Sequence, residues 1–173
     1  MGIMLIKAKL HLVAAVKKIF YRLVYGKGIS FGKNTTFRKN FSLYIEKNAR
    51  IELGNDCFFN NGCSLNCLEK IKIGDRCIFG EGVKIYDQNH CFKDISRPIK
   101  EQGFSSAPVE IGNDCWICSN VTILKGVKIG NHCVIGAGCL IYKDIPDNTI
   151  VKNKTGLVLS QRILRRKINL WNQ

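Results

Sequence analysis

A six-residue alternation of bulky apolar and small side chains organises most of the chain. Between Leu53 and Ile141 an aliphatic or phenylalanine side chain recurs at this spacing, with two interruptions. The bulky positions are Leu53, Phe59, Leu65, Ile73, Phe79, Ile85, Ile111, Ile117, Ile123, Ile129, Ile135 and Ile141. A period of six fits neither an α-helix nor a simple strand alternation. It is typical of a parallel β-helix built from hexapeptide repeats.

The repeat predicts a stack of triangular coils. Three hexapeptides form one coil, and strands of successive coils pair about 4.8 Å apart. Residues eighteen apart in the sequence should therefore lie in columns. The clearest such pairs are Ile111 with Ile129, Ile117 with Ile135, and Ile123 with Ile141. Because no coil can bury its apolar side chains alone, we expect the stacking of coils to stabilise the fold.

Cysteine occupies many of the small positions of the repeat. Six of the nine cysteines stand four residues after a bulky one: Cys57, Cys63, Cys77, Cys115, Cys133 and Cys139. Cysteine is often a small buried apolar side chain, so we expect reduced thiols and a cytoplasmic location. Cys115 and Cys118 have metal-ligand spacing, but no second pair completes a zinc site, so no metal is expected.

Basic segments flank the repeat and contribute to the formal net charge of +14. Residues 3–25 predict an amphipathic helix with Lys7, His11, Lys18 and Arg22 on one face, and Arg162–Trp171 predicts a second basic helix. Two interpretations stay open: the helices cap the β-helix, or they also rest on the anionic inner face of a membrane. We expect no signal peptide and no nucleic-acid binding, since no recognised motif accompanies the charge.

The chain divides into three segments. Residues 1–28 form the N-terminal helix and linker, residues 29–150 form the β-helix domain, and residues 151–173 form a C-terminal tail with the second helix. The repeat is interrupted after Ile85 by an inserted loop at residues 88–110. A long insertion in a regular scaffold is a place where function concentrates.

His90 is the candidate catalytic residue. It stands in the run Asp87-Gln88-Asn89-His90, where the coil breaks into the inserted loop. Imidazole is a suitable general base for removing the proton of a hydroxyl group. The other histidines fit less well, because His11 belongs to the basic helix and His132 lies at an expected solvent-exposed corner.

The motifs of residues 53–150 resemble the hexapeptide-repeat acyltransferases of sugars and polysaccharides. That family includes maltose, galactoside and nodulation-factor acetyltransferases, and capsule or exopolysaccharide O-acetyltransferases. The resemblance rests on Asp-Gln-Asn-His90 before the inserted loop, on Gln102-Gly103, on the run from Ile111 to Ile117, and on the run from Gly126 to Gly138.

The resemblance implies an all-β fold, a left-handed parallel β-helix. It also implies a homotrimer with active sites between subunits, and acetyl-CoA as the acyl donor. The residues that match the family's functional positions are His90 as catalytic base, Asn60 for the acceptor, Ser119 and Ala137 for the pantetheine arm, and Tyr142 and Lys143 for the nucleotide end.

Three departures separate the chain from the family pattern. Cys118 stands where the family has glycine, and the closing motif, which reads Asn153-Lys154-Thr155-Gly156-Leu157, lacks the usual basic residue for a CoA phosphate. Leu68 stands at an acidic position that helps the family to bind sugars. The acceptor therefore need not be a galactoside or maltose.

We predict an acetyl-CoA-dependent O-acetyltransferase that acts on a hydroxyl of a sugar, polysaccharide or glycan precursor by direct transfer. Two enzymatic alternatives stay open: an N-acetyltransferase of a nucleotide-linked amino sugar, and a drug-modifying acetyltransferase. A non-catalytic trimeric scaffold is the alternative outside enzymes. A β-helical carbonic anhydrase is disfavoured because only His90 is placed for such a site, and a zinc centre there needs three histidines.

Overall fold

The chain winds into a parallel β-helix behind an N-terminal helix. The computed structural model describes residues 2–153. Within them, α1 spans Gly2–Tyr25, a short 3₁₀ turn spans Gly26–Gly28, and the coils begin at Ile29. The predicted all-β class and the N-terminal helix are confirmed. The predicted C-terminal helix at Arg162–Trp171 lies outside the described residues.

Three parallel sheets form the sides of the β-helix, with strands numbered along the chain. Sheet one contains β1 (Ile29–Phe31), β4 (Arg50–Leu53), β7 (Lys70–Ile73), β12 (Val109–Ile111) and β15 (Lys128–Ile129). Sheet two contains β2 (Thr36–Phe37), β5 (Phe58–Phe59), β8 (Ile78–Phe79), β13 (Trp116–Ile117), β16 (Val134–Ile135) and β18 (Ile150–Val151). Sheet three contains β3 (Ser42–Ile45), β6 (Ser64–Cys67), β9 (Lys84–Tyr86), β14 (Thr122–Ile123) and β17 (Leu140–Ile141).

The register between coils confirms the predicted columns. Ile111 pairs with Ile129, Ile117 with Ile135, and Ile123 with Ile141. The strands before Leu53 follow the same order, since β1, β2 and β3 pair in parallel with β4, β5 and β6. The segment that precedes the clear hexapeptide beat therefore already forms a complete coil.

Aromatic rings fill the N-terminal part of the core. Phe59 and Phe79 are buried and stacked, with ring centroids 4.3 Å apart, and Phe41 lies 5.1 Å from Phe59. Further along the same column, Ile117 and Ile135 replace the rings. The interior is thus continuous from the first coils to the last, as the stacking argument requires.

The cysteines of the repeat lie in the interior, as predicted. All six are buried, and the Cys63 thiol donates to the carbonyl oxygen of Gly80 at 3.1 Å. Burial raises the pKa of Cys63 to about 11, so this thiol stays protonated at neutral pH.

A ladder of side-chain oxygens joins the coils at the corner between sheets one and two. Each Oδ1 accepts the backbone N–H of the residue one coil below, at 2.7 to 2.8 Å. The acceptors are Asn55, Asp75, Asn113, Asn131 and Asp147. These bonds satisfy polar groups that the strand ladders do not reach.

The N-terminal helix covers the first coil. Ala14 and Tyr21 are buried, and the Tyr21 hydroxyl donates to the carbonyl oxygen of Phe41 at 3.0 Å. The Tyr25 hydroxyl donates to the carbonyl oxygen of Leu43, also at 3.0 Å. These contacts agree with the interpretation in which α1 caps the β-helix. Within residues 2–153, no helix combines the length and the apolar character that crossing a bilayer requires.

An antiparallel hairpin leaves the coil after sheet three. The hairpin pairs β10 (Gln88–His90) with β11 (Phe104–Ser106), with a 3₁₀ turn at Ile99–Glu101 between them. The chain re-enters the stack at Val109. The stack closes over the gap, because Ile73 pairs directly with Ile111.

A buried carboxylate anchors the base of this hairpin. Asp87 is fully buried, and its carboxylate accepts the N–H groups of Leu68 at 2.8 Å and Glu69 at 2.7 Å. Its carbonyl oxygen accepts the N–H of Ala107, where the hairpin returns, at 2.9 Å. The side chain thereby links the exit of the hairpin to the coil below.

We expect Asp87→Ala to destabilise the protein and to loosen the hairpin. The change leaves two inward N–H groups without their acceptor, which costs about 2–6 kcal/mol at about 1–3 kcal/mol per group. Urea denaturation measures the loss, and limited proteolysis of residues 88–108 reports the loosening. The control Glu69→Gln alters an exposed neighbour and should change the unfolding free energy by less than about 0.5 kcal/mol. Equal stability of the two variants would contradict the anchoring role.

Candidate functional site

A groove of about 640 Å³ runs along the inserted hairpin. Its walls include residues of both hairpin strands, of the connection between them, and of the corner that follows β14. The side chains that matter below are His90, Phe92, Lys93, Arg97, Ser105 and Lys125. The inserted segment therefore forms a concave surface, as expected for a functional loop.

His90 lies at the end of β10 with its imidazole exposed to the groove. Across the hairpin it is paired with Phe104, and the two ring centroids are 4.3 Å apart. This contact restricts the orientation of the imidazole without burying it. An exposed imidazole held on a short strand pair can accept a proton from a molecule in the groove.

Side-chain hydrogen bonds brace the connection between the hairpin strands. The Gln102 side-chain amide donates to the carbonyl oxygens of Asp94 at 2.8 Å and Arg97 at 2.9 Å, and its oxygen accepts the Asp94 N–H at 3.1 Å. Hydrogen bonds from the Ser96 hydroxyl and N–H hold the pKa of the Asp94 carboxyl below its usual range. The connection is therefore ordered by its own side chains.

Cationic side chains surround the groove. Lys125 reaches from the corner after β14 and donates to the Ser105 hydroxyl at 2.9 Å. Lys93 and Arg97 lie on the hairpin, and Arg97 donates to the carbonyl oxygen of Glu101 at 2.7 Å. With Asp94 as the acidic member of the lining, the groove carries net positive charge.

Tyr142 and Lys143, the residues matched to the nucleotide end of the coenzyme, lie on the same corner of the β-helix as the hairpin. They follow β17, which stacks through β14 onto β9. Lys143 therefore lies one coil above Lys125. We call this side of the molecule the hairpin corner.

Asn60, Ser119 and Ala137 lie at the corner between sheets two and three, which we call the Ser119 corner. Asn60 follows β5, Ser119 follows β13 one coil above Glu81, and Ala137 follows β16. The register thus brings the matched acceptor and pantetheine positions together. It does not bring them to His90 in one chain, since no residue of the Ser119 corner lines the groove.

The Ser119 corner lacks the full ladder of acceptors found between sheets one and two. The Ser119 hydroxyl accepts the N–H of Glu81 from the coil below at 3.2 Å. One coil above Ser119 stands Ala137, whose methyl group cannot accept the Ser119 N–H. Gly80 keeps the corner narrow, because a β-carbon there would collide with the backbone nitrogen of Ser119. The Ser119 N–H therefore has no side-chain acceptor on the narrow strip of backbone between Ser119 and Ala137.

Two residues of the site were not assigned from the sequence. The sequence did contain a signal for Asp87. The inward positions Val83 and Ile85 are two residues apart, so the same alternation places Asp87 inside the coil. Lys125 carried a weaker one, its position eighteen residues before Lys143. Neither signal shows that these side chains support the hairpin that carries His90.

The remaining histidines lie apart from the groove. His132 occupies a corner with positive φ, as predicted, and its Nδ1 is 3.0 Å from the Asp114 carboxylate. His11 is exposed on α1. Among residues 2–153, no cluster of three histidine, cysteine or acidic side chains is arranged to hold a metal ion.

Sequence comparison relates the chain to known transferases. A family model described as bacterial transferase hexapeptide (six repeats) matches residues 108–143. A galactoside O-acetyltransferase of Escherichia coli K12 is 31% identical over 109 residues, which cover 62% of this chain and 52% of that protein. The chain spans about half the length of three of the curated relatives that it matches, from 45% to 54%.

Comparison with solved structures relates the chain to the same group of transferases. A hexapeptide-repeat acetyltransferase of Vibrio cholerae, solved with acetyl-coenzyme A, matches with a TM-score of 0.66 and 26% identity, covering 79% of this chain and 70% of that chain. A maltose O-acetyltransferase of Clostridium difficile 630 matches with a TM-score of 0.63 and 31% identity, covering 73% and 66%. By its repeat, its fold and these similarities, the chain belongs to the bacterial hexapeptide-repeat transferase family.

Proposed function

We propose that this protein transfers an acetyl group from acetyl-CoA to a hydroxyl of a sugar or glycan. The observation that carries the proposal is the exposed His90 imidazole, held over an open groove by a hairpin inserted in a hexapeptide-repeat fold. The similarity to galactoside and maltose O-acetyltransferases supports a sugar hydroxyl as acceptor. The acetyl-coenzyme A complex of a solved neighbour supports the donor.

The Ser119 corner fits the extended arm of coenzyme A. Ala137 and Gly138 are exposed and small, so a chain-like ligand can lie close to the backbone there. The Ser119 N–H, which meets no acceptor from Ala137, can bond an amide or thioester carbonyl. Asn60 lies at the same corner and is proposed to contact the acceptor. Tyr142 and Lys143, at the hairpin corner, are proposed to contact the nucleotide end.

A complete site needs two chains, because His90 and Ser119 lie at different corners of one chain. We infer a homotrimer in which the hairpin corner of one subunit faces the Ser119 corner of the next. The apolar outer face of sheet two supports that sheet as the contact between subunits. Sheet two presents Phe58, Ile78, Trp116, Val134 and Ile150 outward. Sheet one presents Ser30, Glu52, Lys72, Glu110 and Lys128 outward.

The proposed reaction is a direct transfer. His90 takes the proton of the acceptor hydroxyl while the oxygen attacks the thioester carbonyl carbon. A carbon–oxygen bond forms, the carbon–sulfur bond breaks, and the departing thiolate recovers the proton from the imidazolium. The Ser119 N–H is proposed to stabilise the negative oxygen of the tetrahedral intermediate. General-base assistance of this kind contributes about 10²–10⁴-fold to the rate.

We expect His90→Ala to lower kcat by at least about 10²-fold, because the acceptor hydroxyl then loses its base. Binding of coenzyme A, measured by calorimetry, should persist, and thiol release measures turnover. The control His132→Ala removes an exposed histidine at a remote corner and should leave kcat unchanged. Near-normal turnover of the His90 variant would remove this residue from the mechanism. Faster turnover of amino sugars than of neutral sugars by the unaltered protein would identify an N-acetyltransferase instead.

We expect Ala137→Asn to raise KM for acetyl-CoA by about tenfold, since the new oxygen can accept the Ser119 N–H as Asn131 accepts that of Asn113. The thermal midpoint should not fall, because the asparagine copies a bond that the β-helix uses elsewhere. The matched control His132→Asn adds the same side chain at a corner that faces no proposed ligand. An unchanged KM in the Ala137 variant would show that coenzyme A does not use this strip.

We expect Ile78→Lys to convert the trimer to monomers and to abolish turnover together. Ile78 lies beside Trp116 on the outer face of sheet two, and both side chains are half-exposed in the single chain. A charge buried in an apolar contact without a partner is strongly unfavourable. Light scattering coupled to gel filtration measures the mass. The control Glu110→Lys places the same lysine on sheet one, and it should remain trimeric and active. A trimeric Ile78 variant would exclude sheet two as the subunit contact.

A further inference from the structure

The outer face of α1 is apolar and has no partner in the described structure. One stripe of the helix, containing Ala14 and Tyr21, packs on the first coil. The opposite stripe is formed by Leu5, Leu12, Val16, Ile19 and Leu23, which are between 59% and 80% exposed. At about 100° per residue these five positions share one side of the helix. The apolar side therefore points away from the protein core.

This apolar face is broad. Phe20 and Val24 extend it on one flank and Met4 on the other, and all three are more than half exposed. The packed stripe occupies only the side near Ala14, so most of the circumference is apolar and open. Two helices that pair through a heptad seam need only a narrow stripe. A broad apolar face suits an extended apolar surface better than one neighbouring helix.

The charge around the face has one sign. The first acidic residue of the whole chain is Glu46, whereas Lys9, Lys17, Lys18 and Arg22 all lie on α1. Lys18 and Arg22 lie over the Phe31 ring, at 5.8 Å and 5.9 Å from its centroid, which keeps them near the boundary between helix and coil. At about 100° per residue, Lys17, Lys18 and Arg22 flank the apolar face, and Lys9 lies within it, between Val16 and Phe20. An apolar side bordered by cations is the pattern of helices that lie in a membrane interface.

The charge decides between the possible occupants of the face. A second copy of α1 would bring like charges together. Residues 154–173 would do the same, because they contain Lys154, Arg162, Arg165, Arg166 and Lys167 and no acidic residue. A surface of anionic phospholipids complements both the apolar side chains and the cations. We propose that the outer face of α1 docks the protein on an anionic lipid bilayer, with the helix lying in the plane of the interface.

Flotation with vesicles tests this proposal on the full chain. One set of vesicles contains phosphatidylcholine alone, and the other contains phosphatidylcholine and phosphatidylglycerol in roughly equal parts. The unaltered protein should float with the mixed vesicles, remain unbound with the neutral ones, and be released as salt is raised. Equal behaviour with the two vesicle types would overturn the proposal.

Two variants separate the apolar and the electrostatic contributions. Leu12→Gln with Leu23→Gln should weaken partitioning at least about tenfold, because both side chains lose their apolar burial. Lys9→Gln with Lys17→Gln should weaken it about fivefold per charge removed, and this variant keeps every apolar contact. If the lysine variant floats as well as the unaltered protein, the proposal is contradicted. This outcome can be read even if the leucine variant misfolds.

A matched control and one alternative complete the design. Ile95→Gln with Ile99→Gln removes two exposed apolar side chains of the hairpin connection and should float as the unaltered protein does. If the leucine variant instead has an assembly of different mass in the absence of vesicles, the outer face of α1 is a contact between chains. The membrane proposal is then wrong. Binding of the proposed enzyme to its substrates is measured separately, so the two proposals can fail independently.

Discussion

The register of backbone hydrogen bonds between coils is the constraint on which the rest of this structure depends. Each strand must meet the equivalent residues of the next coil, so any inserted segment has to begin and end at the same corner. The hairpin satisfies this condition, since Ile73 pairs with Ile111 and Ile85 with Ile123 across the insertion. The apolar columns continue through it without a gap, because inward side chains repeat in the same register. The inserted hairpin is therefore added to the stack without altering it.

The same constraint distinguishes the corner between sheets one and two from the Ser119 corner. Between sheets one and two, side-chain amide and carboxylate oxygens from Asn55 to Asp147 accept the backbone N–H groups of the coil below. At the Ser119 corner this closure stops at Ala137, whose side chain offers no acceptor to the Ser119 N–H. A ligand that binds backbone groups can use only a corner where the protein does not satisfy them itself. The difference between the corners thus supports the placement of the coenzyme arm at Ser119.

The sequence predicted the repeating part of the molecule well, because the columns follow from a period that every coil must obey. Ile117 over Ile135 and the inward cysteines could be read directly. The orientation of α1 could not be predicted, since apolar residues cover most of this helix outside its basic face. Only the contacts of Tyr21 and Tyr25 decide which apolar stripe is buried. The bracing by Gln102 was also hidden, because its partners are backbone atoms of an irregular segment with no periodic pattern.

The separation of His90 from Ser119 is itself informative about assembly. Both positions match one active site of the family, yet they follow strands of different sheets, so a single rigid coil cannot bring them together. A pair of subunits related by the threefold axis of a homotrimer brings two different corners face to face. In the proposed homotrimer, this arrangement would bring the imidazole of one subunit to the thioester bound at the next. Catalysis by this fold would then depend on the outer face of sheet two as strictly as on His90, although that face carries no reactive group.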